Sequence, residues 1–104
     1  MDTIRLSVLV YEDGDLWVAQ AIEADILVTA SGLDKLPYAL ERAVVANLAA
    51  NAQLGRKGLD GIPPAPEMVR EKFERSPFSL LERLRGSPPN KKVELQEMRL
   101  LTAA

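Results

Sequence analysis

The chain has no cysteine and no histidine. Without thiols it can form neither disulfides nor thiolate metal sites, and a reducing compartment is the natural expectation. Without imidazole it lacks the commonest general base and the usual nitrogen ligand, which excludes Ser-His, Cys-His and His-rich metal chemistry together. No apolar window is long enough to cross a bilayer, and Met1-Asp2-Thr3-Ile4-Arg5 does not open a signal peptide. These absences predict a cytoplasmic, soluble protein with no membrane contact, no cofactor and no bound metal. What remains, 104 residues at 47% hydrophobic, suffices for one small domain with a modest margin of stability.

The most informative stretch runs from Tyr11 to Leu54, and a strand pattern leads into it. Ile4, Leu6, Val8 and Val10 alternate in the period of a half-buried strand, and Glu12-Asp13-Gly14-Asp15 follows as a hairpin turn. Leu16 to Ile22 returns as a second strand; Glu23-Ala24-Asp25 separates it from a third, Ile26 to Ala30. Asp34 is placed to cap a helix beginning near Lys35, with Pro37 in its first turn where a missing N–H costs nothing. Leu36, Leu40, Val44 and Leu48 make an apolar stripe suited to lie across a sheet, and Gly55 ends the helix. The Gly- and Pro-rich run from Arg56 to Pro66 reads as a loop crossing an edge of the fold.

Two short helices are expected next, Pro66 to Glu74 and, after Ser76-Pro77, Phe78 to Arg85 before Gly86. Lys91 to Leu101 alternates as a strand through Val93 and Leu95, while Leu95 and Met98 also suit a helix. A strand is predicted, because three strands and a helix leave a sheet edge for it to pair with. The expected class is therefore α+β: a two-layer β-β-β-α-β sheet with one long helix on one face and two short C-terminal helices before the last strand. It is a single domain over 1–104, with a core at 1–54, a loop and short helices at 55–90, and a returning strand and tail at 91–104.

Charge divides unevenly. Residues 1–54 hold eight acids against three bases, net −5, while residues 55–104 hold ten bases against seven acids, net +3. Such asymmetry bears on partners, since a field of one sign steers oppositely charged molecules. Glu12, Asp13, Asp15, Glu23 and Asp25 form the acidic candidate surface. Trp17 is either a core anchor, the commoner role for a large ring, or a partner contact; Leu16, Val18 and Ile22 look like the better core side of the second strand, which leaves the lone tryptophan on the less apolar side and joins it to the acids as a candidate contact. The rival reading is RNA or DNA binding through Arg70, Lys72, Arg75, Arg83, Arg85, Lys91 and Lys92. Glu67, Glu71, Glu74 and Glu82 are interleaved with these, as on a salt-bridged helix surface, and no pair of stacking aromatics accompanies them.

Three segments together resemble the HicB-like antitoxin family: Gly14-Asp15-Leu16-Trp17-Val18-Ala19-Gln20-Ala21-Ile22-Glu23, Val28-Thr29-Ala30-Ser31-Gly32, and Leu36-Pro37-Tyr38-Ala39-Leu40-Glu41-Arg42-Ala43. The similarity spans the first half of the chain. It implies a β-β-β-α-β sheet with the helix on one face, a degraded ribonuclease H fold. It also implies a homo-oligomeric protein that binds and silences a small basic messenger-RNA-cleaving toxin. Typical members add a ribbon-helix-helix or helix-turn-helix segment for operator DNA, and the tail from Pro63 resembles neither. Catalysis by the fold itself is not expected. Two-metal phosphodiester cleavage needs converging carboxylates, one of them on the first strand. Ile4 to Val10 has none to join Glu41 on the helix and Glu94 or Glu97 on the last strand.

Overall fold

The computed structural model describes residues 4–76, 78–79 and 93–101, with the backbone alone at 78, 79 and 94. Strands β1 (Ile4–Asp13), β2 (Leu16–Ala21) and β3 (Leu27–Ala30) precede a short 3-10 turn at Leu33–Lys35 and helix α1 (Leu36–Gln53). Helix α2 (Glu67–Arg75), a two-residue strand β4 (Phe78–Ser79) and strand β5 (Val93–Leu100) follow. Among the described residues the class is α+β, with a mixed sheet, one long helix and one short one. Sheet order is β3-β2-β1-β5-β4. The first three strands meander antiparallel, whereas β5 returns beside β1 in parallel.

The hairpin is tighter than its sequence suggests. Glu12 and Asp13 belong to β1, and the loop is Gly14-Asp15 alone. Gly14 takes φ +63, and among the described residues only glycines take a positive φ. Gly at the first loop position is the pattern of a type II′ turn, whose twist matches that of the strands. This loop sets the register, placing Asp13 opposite Leu16, Val10 opposite Ala19 and Val8 opposite Ala21.

Register decides which side is core. Leu6, Val8 and Val10 of β1 cluster with Ala19 and Ala21 of β2, with Val93, Leu95 and Met98 of β5, and with Leu36, Leu40 and Val44 of α1. Trp17 shares that side and packs half-buried against the cluster. The expectation that Leu16 and Val18 face the core and Trp17 faces away is thus reversed. Ala19 and Ala21 cluster with Leu36, Leu40 and Val44 of α1, and Trp17 sits nearer the hairpin end of the strand.

Asp34 does not cap α1. The residue before the helix is Lys35, with no side-chain cap, and Pro37 lies in the first turn as expected. The Asp34 carboxylate instead lies back against Gly32, where a Cβ in place of the glycine hydrogen would meet Oδ1 at 2.7 Å. At the other end Gly55 turns the chain at φ +76. Asn51, buried in the helix, donates to the carbonyls of Gly58 and Asp60 at 3.0 and 3.1 Å, stitching the following loop to α1.

β1 is buried on both sides, Leu6 through Val10 without a break, where the alternation predicted one dry side. The second side is covered in part by α2, which packs against β1. Phe73 is its one buried residue. Arg99, across from Leu9 in the register, lies over the Phe73 ring at 4.4 Å, donates to the Phe73 carbonyl at 3.0 Å and is held by Glu97 at 2.9 Å. A cation over a ring and on the last carbonyls of a helix is favourable on both counts. The expected layering of a sheet with one helix therefore becomes a sheet with helices on both sides. Of the second expected short helix, Phe78 and Ser79 are strand paired to β5; residues 80–85 lie outside the described residues.

Candidate interaction surface

The second side of the sheet carries a connected run of polar groups along β1 and β2. At its inner end the ladder between these strands stops. Ile22 N–H donates to the Ser7 carbonyl at 2.9 Å, but the Ile22 carbonyl accepts from Ala65 instead, also at 2.9 Å. A bulge in the β1–β5 pairing falls at the same place, between Leu6 and Ser7. Glu23 fills the gap: its carboxylate accepts from Ser7 N–H at 2.7 Å, Ser7 Oγ at 2.9 Å and Gln96 Nε2 at 3.2 Å. Gln96 Nε2 also donates to Ser7 Oγ at 3.0 Å. A buried amide needs an acceptor, and here a charged side chain supplies one that the strand does not.

Further along, Gln20 Nε2 donates to Asp25 at 2.8 Å and Tyr11 donates its hydroxyl to Gln20 Oε1 at 3.3 Å. Burial raises the Tyr11 pKa above its ordinary value, and the negative charges of Asp13 and Asp25 raise it further. Asp13, Tyr11, Gln20, Asp25, Ser7 and Glu23 thus follow one another down the sheet as an acidic stripe. Every buried side-chain nitrogen and oxygen among the described residues has a hydrogen-bond partner. Glu23 also lines an open cleft of about 430 Å³, together with Arg5, Asp60, Ile4, Leu6 and Ile62.

The acidic candidates therefore separate by role. Asp15 is exposed in the loop and Glu12 and Asp13 are exposed at the end of β1. Glu12 pairs with Trp17 on the α1 side, away from the stripe. Glu23 and Asp25 are exposed yet oriented by the hydrogen bonds above. Trp17 lies half-buried on the core side. Among the basic candidates, Arg70, Lys72 and Arg75 lie on α2, in company with Glu67, Glu71 and Glu74. Arg83, Arg85, Lys91 and Lys92 lie outside the described residues.

Ser7, Tyr11, Gln20, Gln96 and Arg99 carry no mark in the sequence that sets them apart. The available signal is parity: once Val8 and Val10 face α1, Ser7, Leu9 and Tyr11 must share the other side. The bulge and the reach of Gln96 from β5 leave no such trace. Among the described residues no group of three or more Asp or Glu is spaced to hold a metal ion, and no helix is long and apolar enough to cross a membrane. Chemically, the stripe offers oriented acceptors and negative charge, suited to Lys and Arg side chains.

Comparison with known proteins found no matching family model, no similar curated protein and no similar solved structure.

Proposed function

We propose that this chain is a non-enzymatic binding module of HicB-like type, a homo-oligomer that presents its acidic stripe to a small basic protein. In an antitoxin setting that protein is a messenger-RNA-cleaving toxin, silenced by being held. The observation that carries the reading is the orientation of Glu23 and Asp25 by Ser7, Gln96 and Gln20, in line with exposed Asp13. Carboxylates fixed in advance lose less side-chain freedom on pairing with a cation than floppy ones do. The order of elements, three strands then a long helix over one side then a returning strand, supports the family resemblance. Like the degraded ribonuclease H fold it resembles, β1 holds no carboxylate between Ile4 and Val10.

The rival reading, RNA or DNA bound through Arg70 and Arg75, has weaker support because acids alternate with these bases along α2. Both are tested by capture with the tagged chain from extract of its native host. The module reading expects a basic protein to be retained, and Asp13→Lys with Asp25→Lys to abolish retention while the far-ultraviolet circular dichroism is unchanged. Retention of nucleic acid instead, lost on raising salt and indifferent to those two substitutions, would overturn it.

A further inference from the structure

The outer edge of β3 is an open strand edge. Its register with β2, and the 2.9 Å bond from Ala21 N–H to the Ile26 carbonyl, direct the amides and carbonyls of Val28 and Ala30 inward. Those of Leu27 and Thr29 point outward. Among the described residues nothing bonds to them. Natural sheets blunt such edges with lysine, proline, a bulge or an inward charge. β3 is short, at four residues, but has none of these, and the eight residues from Ile26 to Leu33 carry no charge and no proline.

Beyond Glu41 and Arg42 the helix beside this edge is uncharged too, with no charged residue from Ala43 to Gln53. β3 and β5 run parallel, with α1, α2 and β4 between them, and we take the arm from β3 over α1 to have the right hand usual for such connections. That hand turns Ala39, Ala43, Ala46 and Ala50 toward the β3 flank of the helix. Ala39 and Ala43 are half-buried there, and Ala46 and Ala50 are exposed. Strand edge and helix flank make an uncharged surface bordered at one end by Asp25, while the acids of the hairpin and Glu23 lie elsewhere.

We propose that this surface binds a second copy of the chain, β3 against β3 across a two-fold axis with the two α1 flanks packed together above. This gives a location to the self-association proposed above and does not depend on the identity of any basic partner. Charge selects the occupant: a second copy carries the same acidic hairpin and is repelled from the stripe, but meets no like charge at the neutral edge. Area argues the same way. A stable dimer buries about 1,200 Å² or more in total, beyond what a four-residue edge supplies. The flank of an 18-residue helix, about 27 Å long, supplies the remainder, and its alanines allow close approach. Because the outward groups belong to Leu27 and Thr29, the antiparallel ladder sets Leu27 opposite Thr29 of the second copy. The axis then passes beside Val28.

The chain has no cysteine of its own, so a single introduced one reports without interference. Val28→Cys should form a disulfide-linked dimer under mild oxidation, since non-hydrogen-bonded antiparallel pairs bring Cα atoms to about 4.5 Å. Leu27→Cys, on the other side of the strand and displaced from the axis, should not. Thr29→Pro removes an outward N–H that the protomer does not use. Sedimentation equilibrium should show the wild-type chain as a dimer at micromolar concentration and the variant weakened about tenfold or more. A monomeric wild type, or a dimer that neither cross-links through the thiol of Val28→Cys nor responds to proline, overturns the proposal. Basic-protein capture is scored separately with Asp13→Lys and Asp25→Lys, so loss of assembly and loss of partner binding remain distinguishable.

Discussion

On one side of the sheet Leu36, Leu40 and Val44 rest on Leu6, Val8, Val10, Ala19 and Ala21, all essentially dry; on the other, Ser7, Tyr11 and Gln20 lie in hydrogen bonds to Glu23 and Asp25, under partial cover from α2. The same strands build both. The first side is stabilised by removing apolar area from water, which is indifferent to direction. The second buries Leu9, Val18 and Phe73 as well, and adds directed hydrogen bonds, each small in net terms but costly to leave half-made. A surface of the second kind holds its charges in fixed positions while keeping them wet enough to meet a partner. The division teaches that stability and recognition are assigned here to opposite sides of one sheet.

Removal of residues 91–104 should break the comparison altogether. It takes Val93, Leu95 and Met98 from the dry side and Gln96 and Arg99 from the wet one. The truncated chain should lose cooperative thermal unfolding in circular dichroism; a sharp transition near that of the full chain would show the strand dispensable. Point substitutions sharpen the contrast. Leu40→Ala should cost about 2–5 kcal/mol through lost burial and the cavity left behind, whereas Ser7→Ala should cost about 1 kcal/mol. Urea titration measures both, and equal costs would mean that the two sides do not differ as described.

The smallest effect is one of pH. Tyr11 has its pKa raised in the folded state, first by burial and then by Asp13 and Asp25. A raised pKa means the folded state holds the proton more tightly. That contribution is present below the unfolded value, about 10, and is lost as pH climbs through the folded one. Stability should therefore fall more steeply above that pH in the wild type than in Tyr11→Phe. Parallel profiles in thermal melts would place Tyr11 outside the field of the two carboxylates.

Much of the architecture is legible in sequence. The three leading strands and the helix with its Leu36-Leu40-Val44 stripe are local patterns, visible in spacing alone; the returning strand at Val93 is ambiguous in spacing and is settled by the sheet edge left for it to pair with. The side on which Trp17 lies is not, because both parities of β2 are apolar: Leu16 and Val18 on one, Trp17, Ala19 and Ala21 on the other. Loop length resolves them. Confining the turn to Gly14-Asp15 puts Ala19 opposite Val10 and carries Trp17 to the core side. The stripe is half visible, in Glu23 and Asp25, but its other members depend on long-range pairing. Gln96 reaches Ser7 across 89 positions of sequence, and no local window contains both. Cover from α2 rests on Phe73 and the distant Arg99, again a pairing that neither segment announces.

The division of labour between the two sides can be read in one measurement: amide chemical shifts of the isotopically labelled chain during titration with a lysine- and arginine-rich decapeptide. The account predicts shifts gathered at Tyr11, Asp13, Gln20, Glu23 and Asp25, saturable and weakened by salt, with the amides of α1 undisturbed. Shifts centred on α1, or none at the acidic stripe at millimolar peptide, would contradict it.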